Sequence, residues 1–171
     1  MKTFSILAVM LFALVSVAQE VHVSPERGGI VLSVPAQHPY ELMPGQQKMP
    51  LLGVECLGKG KKNSHTPLFI PGGSLVQEGI EPGDTGGQVI TMILDGTKQV
   101  MTWAPYKAPV TMMFTYPGGE ADRVHLIQAM LHSSPLHVEF KPFLTGQPVI
   151  AIFDLAPLQT EMAKHPECAM Q

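Results

Sequence analysis

The sequence predicts a mainly β protein, either an antiparallel β-sandwich or a partly open barrel, with one or two short helices. Short apolar or alternating runs recur between turns rich in Gly, Pro, Asn and Asp, which is typical of strands joined by tight turns. Apolar residues recur at helical spacing in two short segments. The chain has 171 residues, which suits one domain with a buried core.

Residues 1–18 are predicted to be a secretory signal peptide that is cleaved after Ala18. The basic residue Lys2 precedes an uncharged, mainly apolar run, and Ser16 and Ala18 provide the small side chains expected at the −3 and −1 positions of a cleavage site. A transmembrane anchor is the alternative, but it needs about 20 apolar residues and this run is shorter. We therefore expect an exported protein, periplasmic or secreted, with no membrane span after cleavage.

The remaining chain is expected to have two parts. Residues 19–50 should form a short strand, Ile30–Val34, followed by an irregular proline-rich segment, and residues 51–171 should form a single β-rich domain. The first hairpin of this domain pairs Leu51–Leu57 with Thr66–Ile70 through a turn rich in glycine and lysine. Gly and Asn favour this turn because they tolerate positive φ angles.

A second hairpin follows a Gly- and Pro-rich loop over residues 71–87. Here Gln88–Leu94 and Thr97–Trp103 flank Asp95-Gly96, a dipeptide strongly favoured in type I′ turns. Prolines are then expected to break the chain before another strand, Val110–Tyr116.

The C-terminal part is predicted to contain both helices. One covers residues 122–132, where apolar residues recur at helical spacing. Leu136–Lys141 alternates between apolar and polar residues, as in a strand with one buried face, whereas Gln147–Phe153 is apolar on both faces, as in a central strand. Asp154 is then expected to cap a short closing helix that runs to Lys164.

The two cysteines, Cys56 and Cys168, are predicted to form a disulfide. Both remain after the expected cleavage, and an even number of cysteines in an oxidising compartment most often pairs. A redox-active pair would usually have the spacing Cys-x-x-Cys, and a zinc site would need two further ligands. Closing so long a loop stabilises a fold by about 4–5 kcal/mol in the chain-entropy treatment.

No catalytic residue is predicted, and the candidate metal ligands are mainly histidines. The short motifs of nucleotide-binding, zinc-protease, serine-hydrolase and calcium-binding proteins are not present. His125 and His132 are seven residues apart on one predicted helix face, Asp122 lies one turn before His125, and His137 and Glu139 lie on the next strand. With a transition metal, such side chains could activate water in a hydrolase. The alternative is that they are solvated surface residues.

A basic hairpin tip is the candidate binding site. Lys59, Lys61 and Lys62 could recognise an anionic partner such as a lipid headgroup or a cell-wall polymer, and the alternative is that they are simply solvated. The formal net charge of −3 and the pI near 6.1 argue against nucleic-acid binding. The eleven methionines are expected to fill the core rather than bind copper, because no Met-x-Met repeat is present.

Four short motifs in the C-terminal half carry a family resemblance. They are Leu94-Asp95-Gly96-Thr97, the Phe-Lys-Pro-Phe-Leu-Thr-Gly segment at residues 140–146, Ile152-Phe153-Asp154-Leu155, and the terminal His165-Pro166-Glu167-Cys168. This half resembles small exported bacterial proteins of largely unknown function, in which a Phe-Asp-Leu strand leads into a short helix and a final cysteine. It is also faintly similar to periplasmic accessory proteins of the type VI secretion system, which pair an early strand cysteine with one near the C terminus.

The expected function is therefore that of a non-enzymatic, exported β-domain that serves as an accessory or binding protein. Its partner would be an unidentified protein or envelope component, and the domain is expected to be monomeric and to need no cofactor. Binding residues in such domains often lie in loops held by a β scaffold. The alternative function is a small metal-dependent hydrolase that uses His125, His132 and either Glu139 or His137.

Overall fold

The computed structural model describes residues 20–26, 28–59, 62–72, 88–106, 113–142 and 145–170. Within these ranges the strands are β1 (His22–Glu26), β2 (Gly29–Pro35), β3 (Tyr40–Met43), β4 (Gln46–Lys48), β5 (Leu51–Lys59), β6 (Lys62–Ile70), β7 (Gln88–Leu94), β8 (Thr97–Tyr106), β9 (Met113–Thr115), β10 (Leu136–Phe140) and β11 (Val149–Phe153). The helices are α1 (Glu120–His132), α2 (Ala156–Met162) and a one-turn 3₁₀ helix, Pro166–Cys168. Neither described α-helix is long and apolar enough to cross a membrane. The predicted signal peptide and most of the predicted 71–87 loop lie outside the described residues.

Nine of the described strands form one antiparallel sheet in the order β1-β2-β5-β6-β9-β8-β7-β10-β11, and β3 pairs with β4 in a separate hairpin. The strand β8 belongs to two parts of the sheet, because residues 97–103 pair with β7 and residues 104–106 pair with β9. The sheet therefore has two halves that are joined through β8. The prediction of a mainly β, antiparallel fold with short helices is confirmed.

The two halves of the sheet face each other. The ring of Phe69 on β6 packs against the ring of Phe140 on β10, with 5.0 Å between the ring centroids. Beyond β2, the N–H of Gln37 donates a hydrogen bond of 2.8 Å to the carbonyl of Ile152 on β11. The far end of the sheet thus approaches β2, although the described strands do not close into a continuous barrel.

The hydrophobic core lies between the two halves and is completed by the helices. Alternate residues of β2 and β5 point into it, and Leu32, Val34, Leu52 and Val54 are completely buried. The helices add Leu126, Ile127, Met130 and Leu131 from α1 and Leu158 and Met162 from α2. Full burial of one such side chain stabilises a fold by about 1.5–3 kcal/mol.

The β7–β8 hairpin and β10 agree with the sequence analysis. Asp95 and Gly96 form the hairpin turn, and both have positive φ angles, 49° and 77°. In β10 the alternate residues that begin with Leu136 are buried, whereas His137 and Glu139 lie on the opposite face. These features depend on local chemistry, so the sequence pattern was sufficient to predict them.

The prediction of a central strand at Gln147–Phe153 is wrong. The strand β11 is the last strand of the sheet, and Ile150 is 63% exposed. Only the face that carries Ala151 and Phe153 is buried. Apolar residues on both faces normally indicate a strand covered on both sides. Here the second face is instead an exposed apolar surface.

Two stretches that contain proline are more regular than predicted. Residues 35–50, expected to be irregular, include the β3–β4 hairpin, in which Gly45 adopts the positive φ (79°) that the turn requires. The strand β8 continues through Pro105, which pairs with Phe114. The proline is tolerated because it lies where β8 leaves one half of the sheet and enters the other.

The helix ends differ from the prediction by a few residues. The helix α1 begins at Glu120, two residues earlier than expected, and α2 ends at Met162 rather than at Lys164. The carboxylate of Asp154 accepts a hydrogen bond of 3.1 Å from the N–H of Ala156 and thereby satisfies a free donor at the start of α2. The N-cap residue is Leu155 rather than the predicted Asp154, which lies one position earlier and still accepts a hydrogen bond from the first turn of the helix.

The predicted disulfide between Cys56 and Cys168 is present. The two Cα atoms are 5.0 Å apart, and both residues are buried in the core. The bond attaches the 3₁₀ helix to β5. Next to it, the side-chain amide of Asn63 donates to the carbonyls of Pro166 and Ala169, at 3.0 and 3.3 Å. The C-terminal tail is thus held to the β5–β6 hairpin by one covalent bond and two hydrogen bonds.

Candidate functional site

The solvent-facing side of strands β8, β7, β10 and β11 forms a surface that we call the outer sheet face. Its apolar members are Val89, Ile93, Val100, Ile150 and Ile152. Its polar members are Thr91, Lys98, Thr102, His137 and Glu139. These residues alternate with core residues along each strand, because successive side chains of a strand point to opposite faces.

The outer sheet face exposes large apolar side chains. The exposed fractions are 66% for Val100, 63% for Ile150, 52% for Val89 and 41% for Ile93. These are four of the seven large apolar residues that are exposed in the described part of the chain. The cross-strand register places these side chains on one face of the sheet, with the polar residues Thr91 and Glu139 between Val100 and Ile150. Exposed apolar side chains gathered on one face are typical of interaction sites.

The two formal charges on the outer sheet face are paired with each other. Lys98 on β8 reaches across β7, and its Nζ lies 3.3 Å from Oε2 of Glu139 on β10. Such an exposed pair contributes about 0–1 kcal/mol to stability. Its more important effect is that the face carries no net formal charge when His137 is neutral. Beside the pair, Ile93, His137 and Ile150 line a shallow groove of about 70 Å³.

A second concave site lies between α1 and the β7–β8 hairpin, on the opposite side of this hairpin from the outer sheet face. This half-open cleft has a volume of about 160 Å³. Its polar lining consists of Gln99, Tyr116, Asp122 and His125, and its apolar lining consists of Leu94, Met101, Leu126 and Ala129. Asp122 and His125 are thus brought together as the sequence predicted.

Glycines shape one wall of this cleft. A Cβ atom added at Gly118 would overlap the ring carbon Cε1 of Tyr116 and would lie 3.0 Å from Cβ of Asp122. Glycine at this position therefore allows the Tyr116 ring to pack against the backbone. The N–H of Gly119 donates to Oδ2 of Asp122 at 3.2 Å, which fixes the carboxylate at the first turn of α1.

A buried histidine connects α1 to β6. His65 is 2% exposed, and its Nδ1 lies 3.0 Å from Oε1 of Glu120, which also accepts the His65 N–H at 2.7 Å. The second carboxylate oxygen accepts hydrogen bonds from the Ser64 hydroxyl at 3.2 Å and from Arg123 at 2.8 Å. Partial burial raises the pKa of Glu120, but the hydrogen bonds from Arg123, His65 and Ser64 together outweigh it, so the pKa lies below its ordinary value.

The sequence analysis did not identify this network. His65 and Glu120 are 55 positions apart, and neither belongs to a short motif. Their only sequence signals are an isolated histidine just before the predicted strand Thr66–Ile70 and a glutamate just after Gly118-Gly119. Glu55, which accepts a hydrogen bond from the Tyr106 hydroxyl and is completely buried, was missed for the same reason.

The candidate metal ligands are distributed over separate surfaces. His125 lines the cleft, whereas His137 and Glu139 lie on the outer sheet face. His132 is exposed at the end of α1, where its Nδ1 lies 2.7 Å from the carbonyl of Gln128. Among the described residues, no three His, Cys, Asp or Glu side chains are grouped so that they could hold a metal ion. The hydrolase hypothesis thus remains a sequence-based prediction.

The predicted lysine site is only partly covered by the structure. Lys59 and Lys62 pair at the end of the β5–β6 hairpin, Lys61 lies outside the described residues, and the side chains of all three are not described. Recognition of an anionic partner by these lysines remains a prediction.

Comparison with known proteins identifies no relative of this chain. No protein family, curated protein or solved structure matches the chain.

Proposed function

We propose that this protein is an exported, non-enzymatic binding protein that contacts a protein partner through the outer sheet face. The observation that carries the proposal is the exposure of Val89, Ile93, Val100 and Ile150 on one continuous sheet surface. Burial of such a side chain contributes about 1.5–3 kcal/mol, so a partner that covers several of them gains substantial binding free energy.

The chemistry of the face favours an apolar and uncharged partner surface. Lys98 and Glu139 neutralise each other, so the face offers little attraction to a polyanion. Four strands spaced about 4.8 Å apart give a surface about 15–20 Å wide, or a few hundred Å². Standard interfaces cover about 800 Å² per partner. We therefore expect neighbouring loops to contribute, or the contact to be transient, as in an accessory protein.

Export is the second part of the proposal. The Cys56–Cys168 disulfide supports an oxidising environment. The first 18 residues have the charge and small-residue pattern of a cleavable leader. The resemblance to small exported bacterial proteins and to periplasmic type VI accessory proteins favours an envelope component as the partner.

Site-specific photo-crosslinking in the producing cells tests this function. Benzoylphenylalanine is placed at Val100 or Ile150 on the outer sheet face and, as a matched control, at Val23 on β1, which is 45% exposed. We expect one discrete crosslinked product from both outer-face positions and none of that mass from the Val23 position. Excess unlabelled protein should compete the product away.

A charged variant distinguishes a specific contact from incidental proximity. The double variant Val100→Lys, Ile150→Lys should keep its stability, because both side chains are exposed, yet it should fail to compete for the crosslinked product. Equal crosslinking from Val23, equal competition by the charged variant, or a product that contains only a second copy of this chain would each overturn the proposal.

A further inference from the structure

We propose that the cleft between α1 and the β7–β8 hairpin binds an organic cation with an apolar body, of the size of a benzylammonium ion. This site is separate from the outer sheet face and does not depend on the function proposed for that face. The inference rests on the charge of the cleft, on its aromatic and apolar walls, and on the contacts that hold the cleft open.

The cleft lining carries one formal charge, the carboxylate of Asp122. In the described part of the chain this carboxylate receives one hydrogen bond, from the N–H of Gly119, and takes part in no ion pair. The guanidinium of the adjacent Arg123 does not pair with Asp122, because it donates a hydrogen bond of 2.8 Å to Glu120. An ammonium group entering the cleft would therefore meet an exposed carboxylate with which no described Lys or Arg side chain is paired, and a charge-assisted hydrogen bond to Asp122 would form.

The other walls suit the apolar part of such a ligand. Tyr116 lines the cleft, and aromatic rings attract cations to their faces through their quadrupole. Leu94, Met101, Leu126 and Ala129 provide apolar contacts. The volume of about 160 Å³ is close to the roughly 150 Å³ that accommodates benzene in an engineered cavity. A six-membered ring with an aminomethyl group is thus of suitable size.

The frame around the cleft is fixed at both ends. At the start of α1, Glu120 accepts hydrogen bonds from Ser64 and from the backbone and ring of His65 on β6. At its end, the hydroxyl of Ser133 accepts a hydrogen bond of 2.8 Å from the N–H of Asp95 in the β7–β8 turn. The helix is thus attached to β6 at its start and to the β7–β8 turn at its end, and a cleft formed before binding reduces the ordering free energy that opposes binding.

Nuclear magnetic resonance titration of the purified protein tests this inference. Benzylammonium is the probe, and benzyl alcohol, its uncharged analogue of similar shape, is the matched control ligand. We expect saturable shifts of the Met101 and Ala129 methyl signals with benzylammonium. We expect about two- to fivefold weaker binding with benzyl alcohol, as loss of one exposed charged contact implies. Equal affinity for both ligands, or no saturable shift with benzylammonium, would overturn the proposal.

Two variants locate the contact. Asp122→Asn retains an oxygen that can accept the Gly119 N–H, so the start of α1 is preserved. It should weaken benzylammonium binding about two- to fivefold while leaving benzyl alcohol unaffected. His132→Gln changes an exposed residue of the same helix outside the cleft lining and should alter neither affinity. Equal effects of the two variants would contradict the assignment of Asp122 as the cation-binding residue.

Discussion

Replacing Glu120 by alanine is expected to lower the free energy of unfolding by about 2–4 kcal/mol. The carboxylate accepts the N–H of His65 at 2.7 Å and faces its Nδ1 at 3.0 Å. His65 is 2% exposed. Without the carboxylate, its backbone N–H and its Nδ1 would therefore lose their hydrogen-bond partner at a position that water reaches poorly. Each buried unsatisfied donor costs about 1–3 kcal/mol. The contacts with Ser64 and Arg123 add little, because the Glu120 side chain is 40% exposed.

Urea unfolding followed by circular dichroism measures this loss. The matched control is Glu161→Ala, which removes a helical glutamate that pairs with Lys164 at 2.6 Å on the surface and should change stability only slightly. If Glu120→Ala lowers stability no more than Glu161→Ala does, then the carboxylate does not anchor α1 to β6, and the reasoning is refuted.

The same anchor predicts a pH dependence with a definite sign. The pKa of Glu120 in the folded state lies below its ordinary value of 4.5, since hydrogen bonds from Arg123, His65 and Ser64 outweigh the effect of partial burial. Its stabilising contribution is fully present above the unfolded-state pKa and is lost as the pH falls through the lower, folded-state pKa. The stability difference between wild type and Glu120→Gln should therefore shrink below about pH 4.5.

Three further predictions concern the disulfide, the core and the cleft. Reduction of the Cys56–Cys168 bond should lower the free energy of unfolding by about 4–5 kcal/mol, measured by urea unfolding with and without dithiothreitol. Phe140→Ala should lower it by about 3–5 kcal/mol, because the ring is 1% exposed and packs against Phe69. Gly118→Ala should displace the Tyr116 ring, lower the melting temperature and weaken benzylammonium binding in the titration described above.

Each of these predictions has a matched control. The dithiothreitol effect should be absent in a Cys56→Ser, Cys168→Ser double variant. Ile150→Ala removes an exposed side chain and should change the free energy of unfolding by less than about 0.5 kcal/mol. If Phe140→Ala changes it no more than Ile150→Ala does, the Phe140 ring does not stabilise the core as its packing implies. Gly119→Ala should be tolerated, because an added Cβ there would lie 3.6 Å from Asp122 and its φ of −63° suits any residue.

The parts of the fold that the sequence predicted correctly are those encoded by local chemistry. The Asp95-Gly96 turn requires positive φ angles, and few residues adopt them readily. The alternation from Leu136 onward identified both the strand β10 and its buried face. The disulfide followed from the number of cysteines and the expected compartment rather than from any local pattern.

The parts that were missed depend on pairing between distant segments. Nothing local to Gln147–Phe153 distinguishes a strand covered on both faces from one whose second face is an exposed apolar surface, so the outer sheet face was not anticipated. The bond between His65 and Glu120 depends on the placement of α1 against β6, 55 positions away. Local periodicity does not contain that information.

The sequence singled out four residues that line the two concave sites, but it did not show that these sites lie on separate surfaces. Asp122 and His125 share the cleft as their helical spacing implied, because residues three apart lie on one helix face. His137 and Glu139 were correctly placed on the solvent side of a strand. The sequence did not reveal that this strand lies between β7 and β11, away from the lining of the cleft.

The long separation between the bonded cysteines has a consequence for proteolysis. Because Cys56 and Cys168 are 112 positions apart, a protease that cuts any single peptide bond between them leaves the two fragments covalently joined. A nicked molecule would therefore migrate as an intact chain on a denaturing gel and would separate into fragments only after a reducing agent is added.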